Sequence, residues 1–508
     1  MTDTKKKFSW RRFVHPYLLV PILALITLSA WGFSSPVGSA PDDDFHLASI
    51  WCGAGTQIGE CTITDAKSGV VPRDLLVNST CYAFKPAESA SCQGPGFGTH
   101  QNVVVSSARG NFDGTYPPVY YFVMNAFVGP NVDISVLLMR IANSVLFVGF
   151  FTGLFFLLPR HRRATLMISL MICVVPLGLF IIPSVNPSGW AVLSGGGVFL
   201  SLLGFFETTG RRRIGLAAMA IVATVIGAGA RADAAAYAIL AAAAALVMTF
   251  TPTRAFLLKL ILPAVVGIIS LGLYLSARQS AAVGAGMTAP GGPVREPRAL
   301  LASILLNVSD LWVGAFGRWG LGWLDTQLPA VVWISAWGIF AAVVFAGLGS
   351  RMKRKPLAVA LVFAALWLVP SILLFTSRAV VGETVQPRYL LPLILLFATV
   401  CLVRRSGEGF SPSRTQITVL IGALSLAAGV SLHFNIRRYV TGNDVGGWNL
   451  NTNAEWWWNI PVSPNMVWVI GSLAFAGMLT LICGGQWLAA GNRTRVAPEL
   501  SGSGPVQR

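Results

Sequence analysis

Three consecutive carboxylates followed closely by an imidazole, Pro41-Asp42-Asp43-Asp44-Phe45-His46, form the most chemically suggestive run in the chain. Adjacent acids repel one another, and the repulsion raises the proton affinity of some of them. Such a cluster suits general-base work, and its carboxylate oxygens also suit a divalent cation such as Mg or Mn. The plainer alternative is an Asp-rich run that keeps a loop solvated. Arginines form the second set: Arg388 in Gln386-Pro387-Arg388-Tyr389-Leu390-Leu391-Pro392, Arg231 beside Asp233, and Arg140 inside an apolar run. An arginine at membrane depth is costly unless it is paired or engaged by an anion, and its planar fork matches phosphate. Pairing with Asp233 or Glu383 is the structural alternative. A third run, Tyr116-Pro117-Pro118-Val119-Tyr120-Tyr121, starts a short helix and anchors it at an interface, with a plain interfacial turn as the equal alternative.

These residues are positioned by membrane-embedded helices. The chain has 508 residues, of which 54% are hydrophobic and only 11% charged, against roughly 25% charged in a soluble domain. Apolar runs near the roughly 18-residue length of a bilayer-crossing helix recur along the sequence. The expected fold is an all-α polytopic bundle of about twelve spans, approximately Pro16 to Phe33, Ile134 to Leu158, Ala164 to Ile182, Trp190 to Phe206, Ile214 to Gly229, Ala234 to Phe250, Ala255 to Ser276, Pro329 to Gly349, Leu357 to Thr376, Leu390 to Leu402, Thr415 to Leu432 and Met466 to Trp487. The run Ala299 to Phe316 contains Asn307 and Asp310, and is expected to lie on the outer surface or tuck into the bundle. Pro117 to Val128 is too short to span.

The net charge of +17 sits in small groups between apolar runs, which argues against nucleic acid as a partner. Lys5 to Lys7 with Arg11 and Arg12, Arg160 to Arg163, Arg211 to Arg213, Arg254, Arg351 to Lys355, Arg404 with Arg405, and Arg493 with Arg495 recur at every second loop. By the positive-inside rule this places residues 1–15 and the tail 488–508 in the cytoplasm and the acidic cluster outside. The first apolar run is read as a retained anchor and not as a cleaved signal.

The largest outer segment, residues 34–130, carries Cys52, Cys61, Cys81 and Cys92, four of the seven cysteines. An even set outside the cytoplasm predicts two disulfides, with the pairing open. The spacings lack a zinc signature. Further outer loops are expected at 278–328, which opens with Gly284-Ala285-Gly286 and Gly291-Gly292-Pro293, at 377–389, and at 433–465 with its Trp456-Trp457-Trp458 triplet. Acids and arginines on one surface match an enzyme that takes an anionic lipid-linked substrate and activates an acceptor hydroxyl. A transporter or flippase of such a lipid, or a scaffold for envelope assembly, would carry the same pattern.

Four short motifs occur in order: Pro41-Asp42-Asp43-x-x-His46, Tyr116-Pro117-Pro118-x-Tyr120-Tyr121, Asn186-Pro187-Ser188-Gly189 and Arg388-Tyr389-Leu390-Leu391-Pro392. Together they resemble the "domain of unknown function 2142" membrane proteins, grouped with the GT-C glycosyltransferases. The resemblance implies a GT-C-like enzyme of the bacterial cytoplasmic (inner) membrane that uses a polyprenyl-phosphate sugar donor and modifies an envelope glycan or lipid on the outer face. It makes Asp42 and Asp43 the catalytic candidates, supported by Asp44 and His46, with a metal at Asp42, Asp43 and His46 as a further implication. Arg388 would meet the donor phosphate, with Arg231 and Arg140 added on charge alone. The family pattern favours Pro-Asp-Glu where this chain has Asp43 followed by Asp44, which leaves open which acid is catalytic.

Overall fold

A computed structural model describes residues 16–57, 61–99, 103–281, 287, 295–350, 352–409 and 412–496. The basic N-terminal stretch, the Gly-rich segments at 284–286 and 291–293, and the end of the tail lie outside the described residues. Among the described residues nine helices are long and apolar enough to cross a membrane: Val132–Leu157, Pro187–Glu207, Gly210–Ala230, Ala232–Thr249, Arg254–Leu275, Ala330–Leu348, Lys355–Thr376, Arg414–Val440 and Pro464–Gly484. A helix satisfies every backbone N–H and C=O within itself, so it can cross a bilayer that offers no hydrogen-bonding partners. Side chains close several ends: Asn131 accepts from Ile134 N, and Ser413 with Gln416 forms a reciprocal capping box.

The count of twelve is therefore not met as expected, and three runs differ for separable reasons. The run Ala164 to Ile182 breaks into Arg160–Cys173 and Leu177–Ile181. Pro176 lies in the gap and has no N–H to continue the ladder. Pro16–Phe33 and Pro387–Leu402 are apolar but short. The second has 16 residues, about 24 Å at 1.5 Å per residue, against a hydrocarbon core of roughly 30 Å. It can be short because protein surrounds it: all its residues except Tyr389 and Phe397 are buried. It packs on Lys355–Thr376 and Arg160–Cys173, and Gly195 lies so close that a Cβ there would stand 2.2 Å from Pro392 O. The run Ala299 to Phe316 appears as Pro297–Asn307 and Asp310–Arg318, bent by 41°, with Asp310 held by Arg318 at 2.6 Å.

The described part of residues 34–130 forms a cap on one end of the bundle that departs from the all-α expectation. Strands β1 (Thr62–Asp65), β2 (Ser68–Pro72) and β3 (Val104–Ser107) make an antiparallel sheet in that order. Cys52 pairs with Cys61 and Cys81 with Cys92, so each bridge joins sequence neighbours. Two short helices, Asp43–Trp51 and Val119–Asn125, seat the cap on the bundle. Its first turn is held tightly: Val37 O accepts from Tyr82 Oη at 2.6 Å and Gln93 Nε2 at 2.9 Å, and Gly38 O accepts from Trp323 Nε1 at 2.9 Å. Gly38 has φ +84°, and a Cβ would lie 2.0 Å from Ser79 O. Gly38→Ala is expected to destabilise the protein by at least about 1–3 kcal/mol, read as a lower melting temperature in detergent. Melting with the wild type would contradict this packing.

Candidate functional site at the mouth of the bundle

The chain leaves Pro16–Phe33, turns, and enters the Asp43–Trp51 helix at Asp42. Arg140 fixes that turn. Its guanidinium donates to Gly32 O at 2.7 Å, Ser35 O at 2.5 Å, Pro36 O at 2.6 Å and Ser39 Oγ at 3.2 Å. Asn186, from the Asn186-Pro187-Ser188-Gly189 motif, donates through Nδ2 to Pro41 O at 2.8 Å. Asp42 then adopts a left-handed conformation, φ 63° and ψ 21°, uncommon for a non-glycine residue. Its carbonyl accepts from Phe45 N at 3.0 Å and His46 N at 2.9 Å. Asp43 and Asp44 occupy the first helical turn, where the positive end of the helix dipole favours carboxylates.

The three acids diverge from that point. Asp42 Oδ2 accepts from Arg388 Nη2 at 2.6 Å, and Asp42 Oδ1 from Arg109 Nη2 at 3.0 Å. Its side chain is 34% exposed, against 3% for Arg388. Asp44 pairs with Arg109 at 2.7 Å. Asp43 turns inward and is 1% exposed. Its Oδ2 accepts from Ala40 N at 3.0 Å, and its Oδ1 has no hydrogen-bond partner among the described residues.

Burial works to raise the Asp42 carboxyl, but Arg388 and Arg109 more than offset it and hold it below the ordinary carboxylate range. Burial pushes Asp43 up to about 8, against the pull of Arg140. Burial drives His46 down to about 3. At neutral pH Asp42 is therefore ionised at the surface, with a neutral acid beneath it and a neutral imidazole beside it.

His46 Nδ1 meets Tyr121 Oη at 3.0 Å, and the Tyr116 ring packs edge-on to the imidazole, centroids 5.5 Å apart. Arg231 is bound through two hydrogen bonds to Asp233, at 2.9 and 2.7 Å. Its guanidinium lies 4.4 Å from the Tyr389 ring centroid, and that of Arg388 lies 4.9 Å from the same centroid. Arg388 also donates to Gln386 Oε1 and, at 3.3 Å, to Tyr389 Oη. Two arginines thus pack against one tyrosine ring, and one of them also holds the Asp42 carboxylate.

Of the residues singled out by sequence, Asp42, Arg388 and Arg231 come together. Asp44 lies one contact away, through Arg109. Arg140 does not join them: it is 2% exposed and binds the carbonyls that set the turn. The cation expected at Asp42, Asp43 and His46 does not fit this geometry. Asp42 faces two arginines, Asp43 faces a backbone amide and His46 faces Tyr121. No group of three His, Cys, Asp or Glu side chains suited to a metal occurs among the described residues.

Arg109, Asn186 and Gln386 also belong to the site; Asn186 and Gln386 lie within motifs quoted from the sequence, while Arg109 lies in none. Arg109 stands in a Ser- and Gly-rich loop with nothing to separate it from a solvated cation. The Tyr116 to Tyr121 motif carried a signal, and it resolves as a wall of the site as well as a helix start.

The sequence profile of the family described as "Predicted membrane protein (DUF2142)" matches residues 25–397, well over half of the 508 residues. The chain belongs to the DUF2142 family. No curated protein and no solved structure matches it. The DUF2142 match includes Asp42, Asn186, Arg231 and Arg388, and stops before Arg414–Val440 and Pro464–Val496. This DUF2142 chain is a membrane protein whose acidic and basic motifs, far apart in sequence, close onto one another at one end of the bundle.

The neutral state of Asp43 has a consequence for stability. In the unfolded chain this carboxyl titrates near its ordinary value of 3.8, while in the fold burial moves it to about 8. Between these values the folded chain binds one proton that the unfolded chain has lost. The contribution of Asp43 is therefore fully favourable below the unfolded value, declines as pH rises through the window and is flat above it. Thermal melts from about pH 5 to about pH 9 should show this decline in the wild type and lose it in Asp43→Asn. An Asn variant with an unchanged pH profile would contradict the assignment.

Proposed function

We propose that this DUF2142 protein is an integral-membrane glycosyltransferase that moves a sugar from a polyprenyl-phosphate donor to a hydroxyl of an envelope glycan or lipid. In this reading it sits in a bacterial cytoplasmic membrane with both termini in the cytoplasm, and transfer takes place on the outer face. The observation that carries the reading is the contact of Asp42 Oδ2 with Arg388 Nη2 at 2.6 Å, a base and a phosphate-matching cation already adjacent at the mouth.

The donor phosphate binds Arg388, with Arg231, which also lies against the Tyr389 ring, adding positive charge. Engaging Arg388 withdraws the cation that depresses the Asp42 carboxyl, so Asp42 becomes a stronger base as the donor arrives. Asp42 takes the proton of the acceptor hydroxyl, and the hydroxyl oxygen forms a bond to the anomeric carbon. The bond from that carbon to the phosphate oxygen breaks, and polyprenyl phosphate leaves with the electron pair against Arg388. Attack opposite the leaving phosphate inverts the anomeric centre. Arg140, Asn186 and the buried Asp43 act as positioning residues that shape the turn carrying Asp42. No step passes through a metal.

Envelope sugar and linkage analysis of a deletion strain tests the reading. Loss of a defined glycosyl residue is expected, restored by wild type and not by Asp42→Asn or Arg388→Gln expressed at the same level. An unchanged envelope in the deletion strain would overturn it.

A further inference from the structure

A second region, lined by neither Asp42 nor its arginine partners, has the shape and charge of an amphiphile site. The Pro387–Leu402 helix carries Arg388 in its first turn, and its far end leads to Arg404. Its 16 residues put roughly 24 Å between those ends. From the Arg404 end a chamber of about 1590 Å³ runs along the bundle as far as Leu28, Leu179 and Ile182, bounded by Pro16–Phe33, Val132–Leu157, Arg160–Cys173, Ala330–Leu348, Arg414–Val440 and Pro464–Val496. Its walls are largely apolar, including Leu28, Phe151, Met171, Val343, Leu420 and Met478. The volume exceeds the roughly 300–1,000 Å³ of ordinary small-molecule pockets, and exposed wall residues such as Leu18, Phe156 and Val419 leave it open at the side.

A smaller cavity of about 360 Å³ adjoins it. Arg160, Ala164, Ile168, Arg404 and Gly409 line both, so the two share a wall, and His161 and Glu408 complete the smaller one. Glu408 Oε2 accepts from Ser350 Oγ at 2.5 Å, which turns one carboxylate oxygen toward Ser350 and leaves Arg160 and Arg404 as the cations lining both cavities. His161 lies 3.3 Å from Glu207, which also pairs with Arg162 at 2.5 Å. Arg404 is held at the junction by Gly409 O at 3.0 Å and Ala346 O at 3.1 Å, and Arg160 is exposed. Arg163, also on the chamber wall, sits over the Phe155 ring at 4.9 Å.

We propose that this paired chamber holds an anionic glycerophospholipid from the adjoining leaflet. Its acyl chains occupy the apolar part, and its phosphate lies against Arg160 and Arg404. Basic pockets between membrane helices recognise phosphate headgroups in this way, and the arginine fork fits two phosphate oxygens at once. The lipid is distinct from a sugar donor at the other end of the bundle.

The test uses the full-length protein, stripped of lipid in mild detergent and read by native mass spectrometry and thermal melting. Dioleoylphosphatidylglycerol is expected to bind one to one and raise the melting temperature, with dioleoylphosphatidylcholine, of identical chains, weaker by at least about tenfold. Arg160→Gln, which removes headgroup charge, and Ala342→Trp, which fills the chamber at an exposed wall position, should each weaken phosphatidylglycerol binding by about tenfold. Equal binding of the two phospholipids, preferential retention of polyprenyl phosphate, or wild-type binding by both folded variants would overturn the proposal.

Discussion

Asp42→Asn is expected to lower sugar transfer by about 10²- to 10⁴-fold, the range associated with removing a general base, while the protein stays folded and inserted. The amide cannot take the hydroxyl proton, yet the cations it leaves behind keep other partners: Arg109 retains Asp44, and Arg388 retains Gln386. Asp43→Asn should behave in the opposite way. It keeps an acceptor for Ala40 N, removes a buried acid and leaves transfer within a few-fold of wild type. Rates normalised to folded protein separate the two. Full activity in Asp42→Asn, or loss of activity in a well-folded Asp43→Asn, would reverse the assignment of base and positioning acid.

Arg438→Ala is expected to give the largest loss of stability among single changes outside the apolar core, about 3–5 kcal/mol, the cost of stranding one partner of a buried ion pair. Arg438 is fully buried and meets Asp325 at 2.8 Å, with Asp325 6% exposed at its side chain. The same guanidinium donates to Tyr82 O at 2.8 Å, Lys85 O at 3.1 Å and Glu88 O at 2.6 Å. It thus ties the end of Arg414–Val440 to the loop closed by Cys81 and Cys92 and to the turn at Asp325. Without it the cap should loosen as well as the bundle. The Cys81–Cys92 bridge should then be reduced by dithiothreitol faster than in wild type, with a lower melting temperature. An apolar pair, Arg438→Met with Asp325→Leu, should recover much of the melting temperature because it removes both charges together. An Arg438→Ala variant that melts with the wild type would contradict the role given to this ion pair.

Much of the bundle was legible because the membrane imposes one rule, a long apolar run, on each crossing. Nine expected runs appear as long helices at nearly the expected places. The rule failed where protein replaces lipid as the surroundings. Pro387–Leu402 is short because it is encased, and Pro176 divides a run whose average hydropathy hides a missing N–H. The sheet of the cap was within reach, since Thr62-Ile63-Thr64 and Val103-Val104-Val105 are β-branched runs beside turn residues. In residues 34–130 the four cysteines are the stronger signal. Their spacing announced two disulfides but could not choose a pairing, since 4 cysteines allow 3.

At the site, residue type was legible and partnership was not. Asp42 and Arg388 were both candidates, but their contact joins positions 346 apart, a relation created by packing alone. The order of three adjacent aspartates could not separate exposed from buried. The left-handed turn at Asp42 does so, sending one carboxylate to the arginines and the next to Ala40 N. Arg140 had the same charge as Arg388 on paper, and only its ring of backbone carbonyls distinguishes a residue that shapes the turn.

The most direct measurement is single-turnover assay of the purified protein in liposomes, with a radiolabelled sugar on polyprenyl phosphate and extracted envelope acceptor. Wild-type protein is expected to form labelled glycoside and free polyprenyl phosphate in equal amounts, with inverted anomeric configuration. Asp42→Asn should still bind the donor but not transfer, and Arg388→Gln should bind it poorly. Transfer by Asp42→Asn at the wild-type rate, or no transfer by wild-type protein across a panel of polyprenyl-phosphate sugars, would contradict this mechanism.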